Sequence, residues 1–195
     1  VIVSLMQKEF VEKKKWISRE MIRDIFSTLF CCFAAVLVAF VLVFSMGMKI
    51  SVIGVSMEPV LYSGYEVLVN RFLYKMMSPQ RGDVIVFLPN GNPNSHYYLK
   101  RVVGLPGEKI QIVGGYVYID GELLEEDESY DMIADAGIAE TEITLESDEY
   151  FVLGDNRNAS EDSRSGNIGP VRRDTITGKA WFYLGDTLKD MGFVK

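Results

Sequence analysis

The stretch GVSMEP, residues 54–59, stands where the chain changes from a continuous apolar run to a pattern of short strands. The run before it, residues 25–48, contains no charged side chain. The alternating, turn-rich pattern begins at Lys49. Ser56 lies just past this junction and is a candidate nucleophile. A serine hydroxyl is weakly nucleophilic at neutral pH, so another side chain must take its proton.

The apolar run is long enough to cross a membrane. As a helix, residues 25–48 would extend roughly 36 Å, more than the hydrocarbon core of about 30 Å. Lysine and arginine are frequent in residues 1–24, and Lys49 is the one basic residue soon after the run. The positive-inside rule therefore predicts a cytoplasmic segment 1–24, a transmembrane anchor 25–48 and an extracytoplasmic domain 49–195, with membrane lipid as a partner.

Two alternatives to an anchor fit the run less well. A cleaved secretory signal has a shorter apolar region, about 7–15 residues, and a small-residue exit. The residues Phe44-Ser45-Met46 are a poor exit of that kind. A buried core helix of a soluble domain would not need to be apolar on every face.

Composition argues against several classes of function. The formal net charge of −7 argues against a nucleic-acid partner, which would call for a basic stripe. The two cysteines, Cys31 and Cys32, both lie in the apolar run, and His96 is the single histidine. This leaves no residues for a disulfide framework, a thiolate metal site or a multi-histidine site in the remaining chain. We therefore predict neither metal nor cofactor.

After residue 48 the pattern predicts an all-β domain. Short alternating segments separated by turn residues favour a barrel or sandwich of several strands. Residues 125–142 are rich in acids and predict a solvated surface loop with weak structure. The predicted strands cover residues 49–53, 66–70, 84–88, 97–103, 109–113, 116–119, 149–153 and 178–184.

Three kinds of residue could activate Ser56. His96 lies in a loop rich in Asn and Pro, a solvated setting, and no spacing singles out a carboxylate. Lys100 lies in a predicted strand next to Arg101, and adjacent strand residues point to opposite faces. One of the two bases must then point inward, and burial lowers the pKa of a lysine towards neutrality. A lysine that extends its ammonium to water is the alternative that the spacing leaves open.

Four blocks in a fixed order behind one anchor resemble the bacterial type I signal peptidases, and the short intervals between them resemble the smaller Gram-positive type. The resemblance covers essentially residues 49–184, almost all of the predicted domain. The blocks are GVSMEP at 54–59, RGDVIVF at 81–87, KRVVGLPG at 100–107, and GDNR at 154–157 continuing to SEDSR at 160–164.

The resemblance implies a fold and a set of roles. The fold would be a mostly antiparallel, barrel-like β-domain with one N-terminal transmembrane helix. The activity would be that of a serine endopeptidase, with the signal peptides of exported preproteins as partners and cleavage after small residues. Ser56 would be the nucleophile and Lys100 the general base, and the hydroxyl of Ser160 would orient the lysine amine.

Further positions match supporting and binding residues of the family. Asp155, Asp162 and Arg164 match supporting polar positions, for which a buried ion pair is the plain structural interpretation. The family's small apolar pockets, whose walls could equally be ordinary core, match Val52, Ile53, Met57, Leu61, Val86, Tyr98 and Leu99.

Three residues depart from the family pattern. Gly54 stands where some members carry a serine hydroxyl that helps to hold the oxyanion, so the backbone N–H of Ser56 is the donor that the sequence predicts. Val60 replaces the usual Thr after Pro59, and Ala159 replaces a frequent Asn before Ser160.

Two other classes of function share parts of this pattern. A self-cleaving regulator of the SOS-repressor kind also uses a serine and a lysine, but it requires a DNA-binding helical module where this chain has an apolar run. An anchored β-domain that binds partners without catalysis would not depend on Ser56 or Lys100. The sequence does not indicate an oligomeric state.

Overall fold

The structure is a computed structural model that describes residues 19–126, 129–187 and 189–194. It divides into two compact units, residues 1–45 and residues 46–195. In the first unit, helix α1 (Arg19–Met46) is long and apolar enough over Arg19–Val41 to cross a membrane. Most of the positively charged segment predicted to be cytoplasmic, residues 1–18, lies outside the described residues.

The second unit is built almost entirely from antiparallel strands. The larger sheet has the order β1-β2-β11-β3-β4-β9-β10, with β12 paired to β11, and forms a half-barrel. The smaller sheet has the order β7-β6-β5-β8. The elements are β1 (Gly47–Ser51), β2 (Glu66–Asn70), α2 (Leu73–Met76), β3 (Val84–Phe87), β4 (Tyr98–Gly104), β5 (Lys109–Val113), β6 (Tyr116–Ile119), β7 (Glu122–Leu123), β8 (Ile143–Thr144), β9 (Glu149–Leu153), β10 (Val171–Arg172), β11 (Ile176–Leu184) and β12 (Met191–Phe193).

The predicted fold class, an antiparallel β-domain with one N-terminal apolar helix, is confirmed. Strands β2, β5, β6 and β9 have the predicted bounds. The short strands β7, β8, β10 and β12 were not predicted, because two or three residues carry too little alternation to be recognised.

The end of the apolar run differs from the sequence prediction. Helix α1 ends at Met46, and the next two residues, Gly47 and Met48, begin β1. They pair with Asn70 and Val69 of β2, and this register continues to Ser51 opposite Glu66. Hydrogen bonding across the sheet, which the apolar composition does not reveal, therefore sets the boundary.

The acidic segment 125–142 is mostly exposed where it is described, as predicted, but it is attached to the core at Ile133 and Ala139. Ile133 is 6% exposed and belongs to the core cluster that joins the two sheets. Its N–H donates to the carbonyl of Gly115 at 3.1 Å. A few apolar residues between the acids pack into the core and attach the segment to it. The net charge of the segment does not reveal these residues.

Strand β4 has strands on both sides and is covered on both faces. It pairs with β3 on one side and β9 on the other. The expectation that one of its two adjacent bases points inward underestimated the burial: Lys100 is 4% exposed and Arg101 is 8% exposed. Each of these cations therefore requires its own compensating contacts.

Candidate active site

Ser56 lies in a tight turn that follows β1. The turn is held by two backbone hydrogen bonds, from Glu58 to the carbonyl of Val55 at 3.1 Å and from Leu61 to that of Met57 at 2.8 Å. The peptide bond between Glu58 and Pro59 is cis. Gly54 adopts a φ of 85°, a left-handed conformation that favours glycine. The carbonyl of Ser56 accepts a hydrogen bond from the N–H of Asn156 at 3.1 Å, which ties the turn to the loop after β9.

The side chain of Lys100 reaches this turn from the middle of β4. Its Nζ lies 2.8 Å from Ser56 Oγ. Burial lowers the pKa of the Lys100 ammonium from 10.5 to about 8, although the carboxylates of Asp162, Glu161 and Asp155 oppose part of the shift. Near neutral pH a fraction of the amine is therefore uncharged and able to accept the serine proton.

Arg101, on the opposite face of β4, is neutralised by Asp155. Its Nε and Nη2 donate to the two carboxylate oxygens at 2.7 and 2.6 Å. The side chains are 9% and 0% exposed. A third bond runs from Arg101 Nη1 to the carbonyl of Gly82 at 2.8 Å. This paired contact joins the strand that carries Lys100 to the loop that contacts Ser56.

A second buried pair organises the loop after β9. Arg164 donates from Nε and Nη2 to the carboxylate of Asp162 at 2.8 and 2.9 Å. Asp162 Oδ2 also accepts the N–H of Gly154 at 3.0 Å. Arg164 further donates to the carbonyl of Arg157 at 2.6 Å. The predicted supporting residues Asp155, Asp162 and Arg164 are thus all buried and ion-paired.

Ser160 lies beside the candidate pair but is not hydrogen-bonded to it. Its Oγ is buried and has no hydrogen-bond partner among the described residues. An ideal Cβ on Gly154 would overlap both this oxygen and the carbonyl oxygen of Ser56, so Gly154 separates the two serines. A side chain at position 154 would displace one of them.

The backbone at Ser56 offers one free donor. In the part of the chain that the structure describes, no oxygen accepts from the N–H of Ser56. The N–H of Gly54 instead donates to Ser63 Oγ at 3.3 Å. The N–H of Ser56 is therefore free to stabilise an oxyanion.

The seven apolar residues matched to substrate pockets differ in exposure. Ile53 is 75% exposed, and Tyr98 is partly buried against a cluster of β3, β4 and β9 side chains. The other five are at most 6% exposed and lie in one core cluster: Val52, Met57, Leu61, Val86 and Leu99.

His96 is exposed in the loop before β4. The contact to the hydroxyl of Ser56 comes from Lys100 and not from an imidazole or a carboxylate. Within residues 19–126, 129–187 and 189–194, no three His, Cys, Asp or Glu side chains are grouped as they would be around a metal ion.

Sequence reasoning missed a second layer of charges around the loop after β9. Arg157 is 2% exposed and donates two bonds to Glu126, at 2.7 and 2.6 Å. Its guanidinium lies 4.2 Å from the ring centre of Tyr130. For Arg157, its place in the GDNR block was a signal in the sequence for a supporting role. Nothing in the acidic segment distinguishes Glu126 from its neighbours.

Comparison with known proteins identifies the family. A protein-family profile described as "Signal peptidase, peptidase S26" matches residues 25–184. The chain belongs to this family. Members are serine endopeptidases that remove signal peptides, and the chain is a hydrolase of this class. The apolar helix α1 is compatible with membrane anchoring in this signal peptidase family.

Curated relatives carry the same family name. "Signal peptidase I P" of Bacillus subtilis subsp. natto is 32% identical over 155 residues, 74% of this chain and 82% of the relative. "Signal peptidase IB" of Staphylococcus aureus is 33% identical over 169 residues, 76% and 85%. "Probable signal peptidase I-2" of Synechocystis is 35% identical over 130 residues, 65% of this chain, and the match spans 57% of that relative.

A solved structure is also similar in sequence. The crystal structure of a signal peptidase I from Enterococcus faecalis is 30% identical and covers 53% of this chain and 97% of its own. The TM-score of that comparison is 0.40.

Proposed function

We propose that this signal peptidase is a membrane-bound endopeptidase with a Ser56–Lys100 dyad, which cuts exported preproteins after a small residue at the end of the signal peptide. The observation that carries the proposal is the 2.8 Å separation of Lys100 Nζ and Ser56 Oγ, with the lysine buried. The pair requires neither metal nor cofactor, since it contains both a nucleophile and a base.

In the first step, the neutral amine of Lys100 takes the hydroxyl proton while Ser56 Oγ attacks the carbonyl carbon of the scissile bond. The free N–H of Ser56 donates to the oxygen that becomes negative. Lys100 then gives the proton to the leaving amine, the C–N bond breaks, and an ester to Ser56 remains. Gly54 contributes no hydroxyl to the oxyanion, and its N–H is engaged by Ser63.

In the second step, Lys100 takes a proton from a water molecule that attacks the ester. The ester C–O bond breaks, the proton returns to Ser56 Oγ, and the signal peptide leaves with a new carboxyl terminus. In this proposal the hydroxyl of Ser160, which lies against Gly154 next to the carbonyl of Ser56, orients the amine. The buried Asp162–Arg164 and Arg101–Asp155 pairs hold the two segments that carry these groups.

The proposed orientation places residues 1–24 in the cytoplasm and residues 49–195 outside it. The clustering of positive charge before the apolar run supports this orientation. Protease added to intact spheroplasts should degrade residues 49–195, whereas inside-out vesicles should protect them. Protection in spheroplasts would reverse the assigned orientation.

Cleavage is expected to depend on pH through Lys100. The pKa of its ammonium is lowered to about 8, and the neutral form is the active one. We therefore expect kcat/KM to rise as pH increases through about 8 and to fall as pH decreases. At pH 7 about one-tenth of the amine is neutral, so kcat/KM should be about one-tenth of its alkaline plateau. The measurement is cleavage of a purified preprotein by the full chain in detergent from pH 5 to 9.

Two features of that experiment test the proposal. Mass spectrometry of the products should place the cut after a small residue, and a preprotein with Trp in place of that residue should resist cleavage. A pH profile that stays flat between 5 and 9 would contradict a neutral amine as the base.

A further inference from the structure

A cavity of about 400 Å³ opens beside the candidate catalytic pair. It lies between the docked acidic segment, which contributes Asp135, and the loop after β9, which contributes Ser160 and Glu161. Ser160 connects the cavity to the site, because its Oγ and the carbonyl oxygen of Ser56 lie against the same Cα, that of Gly154. A peptide held at Ser56 therefore has this cavity within reach of residues next to the scissile bond.

One residue of the loop around the cavity, Glu161, contacts Tyr98, which lies beside the candidate base. The hydroxyl of Tyr98 donates to Glu161 Oε2 at 3.4 Å. The ring of Tyr98 lies 5.4 Å from Lys100 Nζ. The negative charge of Glu161 is near enough to favour the protonated form of Lys100 and so to raise its pKa. Glu161 therefore lines the cavity and also acts on the side chains next to the reacting hydroxyl.

The fixed charges of the cavity sum to a negative value. Two of its lining residues are arginines, and each is neutralised by its own carboxylate: Arg157 by Glu126 and Arg164 by Asp162. The two exposed carboxylates, Asp135 and Glu161, have no ion pair in the described part of the chain. Two carboxylates without an ion pair among the described residues therefore line a space that is open to solvent and can accept a cation.

Two residues that line the cavity each carry a buried polar atom without a hydrogen-bond partner in the described part of the chain. Among the described residues, two buried side-chain atoms have no partner, Arg157 Nε and Ser160 Oγ. Both belong to residues that line the cavity. Buried polar atoms without partners are rare in folded proteins and call for a ligand or water.

We propose that this cavity is a substrate subsite that takes a lysine or arginine side chain of the preprotein close to the scissile bond, with Glu161 as the charge that selects it. The inference rests on the proposed function, since it assumes a peptide held at Ser56. A basic side chain is favoured because it supplies the missing positive charge, whereas an acidic side chain would meet two carboxylates. Both effects are moderate, because the carboxylates are exposed to solvent.

The test uses sets of peptides that are identical except for Lys, Gln or Glu at one position on either side of the cut. The full chain in detergent should cleave the Lys peptide about 2- to 5-fold faster in kcat/KM than the Gln peptide at one of these positions, and the Glu peptide more slowly still. In Glu161→Gln the Lys/Gln ratio should approach 1. In the wild type the ratio should also decrease at high salt, which screens exposed charges.

The ratio separates selection from any effect on the base. Because Glu161 also acts on Lys100, Glu161→Gln changes the rate for all peptides alike, and that change cancels in the ratio. Glu122→Gln, which removes an exposed carboxylate on β7, should leave the ratio unchanged. An unchanged Lys/Gln ratio in Glu161→Gln at every position would overturn the subsite. Failure of the wild type to cleave any peptide or preprotein would instead contradict the proposed function.

Discussion

Ser56→Ala and Lys100→Met are each expected to lower kcat/KM for a preprotein by at least about 10³-fold. The first substitution removes the attacking oxygen. The second removes the side chain that lies 2.8 Å from it. A positioned base contributes about 10²–10⁴-fold, and removal of one member of a nucleophile–base pair costs about as much as removal of both. The measurement is cleavage of a purified preprotein in detergent at pH 9, where the wild-type amine is largely neutral.

The folded state should survive both changes. Methionine has nearly the length of lysine without the charge, and it suits a site that is 4% exposed. Thermal unfolding of both variants should therefore stay close to that of the wild type. His96→Ala is the control for the rejected histidine base and should retain full activity, since His96 is exposed in its loop. Full cleavage by Ser56→Ala would refute the nucleophile assignment and favour an anchored β-domain whose function is binding.

Asp155→Ala is expected to destabilise the domain by about 3–5 kcal/mol. It removes a buried carboxylate that accepts two hydrogen bonds from Arg101, whose side chain is 9% exposed. A buried charge that loses its partner is costly because water cannot replace the lost bonds. For a chain of this size the change corresponds to a decrease in Tm of roughly 6–20 °C, measurable by thermal unfolding in detergent.

A surface pair provides the matched control. Lys49 and Glu66 form an ion pair of the same length, 2.6 Å, but their side chains are 56% and 41% exposed. Glu66→Gln should therefore cost at most about 1 kcal/mol. The double replacement Arg101→Met with Asp155→Leu should be less destabilising than Asp155→Ala, because it removes both charges of the buried pair. Equal unfolding temperatures for Asp155→Ala and Glu66→Gln would contradict the expected contribution of the buried pair to stability.

Burying two basic side chains on β4 costs free energy, but the same burial gives Lys100 the pKa of a general base. Packing on both faces lowers the pKa of Lys100 to about 8, while the carboxylates nearby prevent a larger decrease. On the other face, the carboxylate of Asp155 compensates the charge of Arg101 and accepts from two of its three nitrogens. The pKa values of two adjacent bases in one strand thus move in opposite directions: burial lowers that of Lys100, whereas for Arg101 burial is outweighed by the hydrogen bonds and charge of Asp155, which raise it.

Much of the fold follows from local patterns. Alternation over four or five residues identified β2, β5, β6 and β9, since a strand buried on one face records its geometry in every second side chain. The composition of residues 25–48 identified α1, although pairing with β2 set its end at Met46. The attachment of segment 125–142 to the core was not predicted, because it depends on a few apolar residues among many acids.

The sequence by itself determined the candidates: a serine after the apolar run, a strand with two adjacent bases, and an ordered set of blocks that resembles one family. Only the tertiary structure decided which of these residues meet. Ser56 and Lys100 are 44 positions apart and are hydrogen-bonded because the turn after β1 lies against β4. The structure also brought Glu126 to Arg157 and Glu161 to Tyr98. Such contacts depend on how strands and loops pack at long range, and a local pattern of residues does not encode that packing.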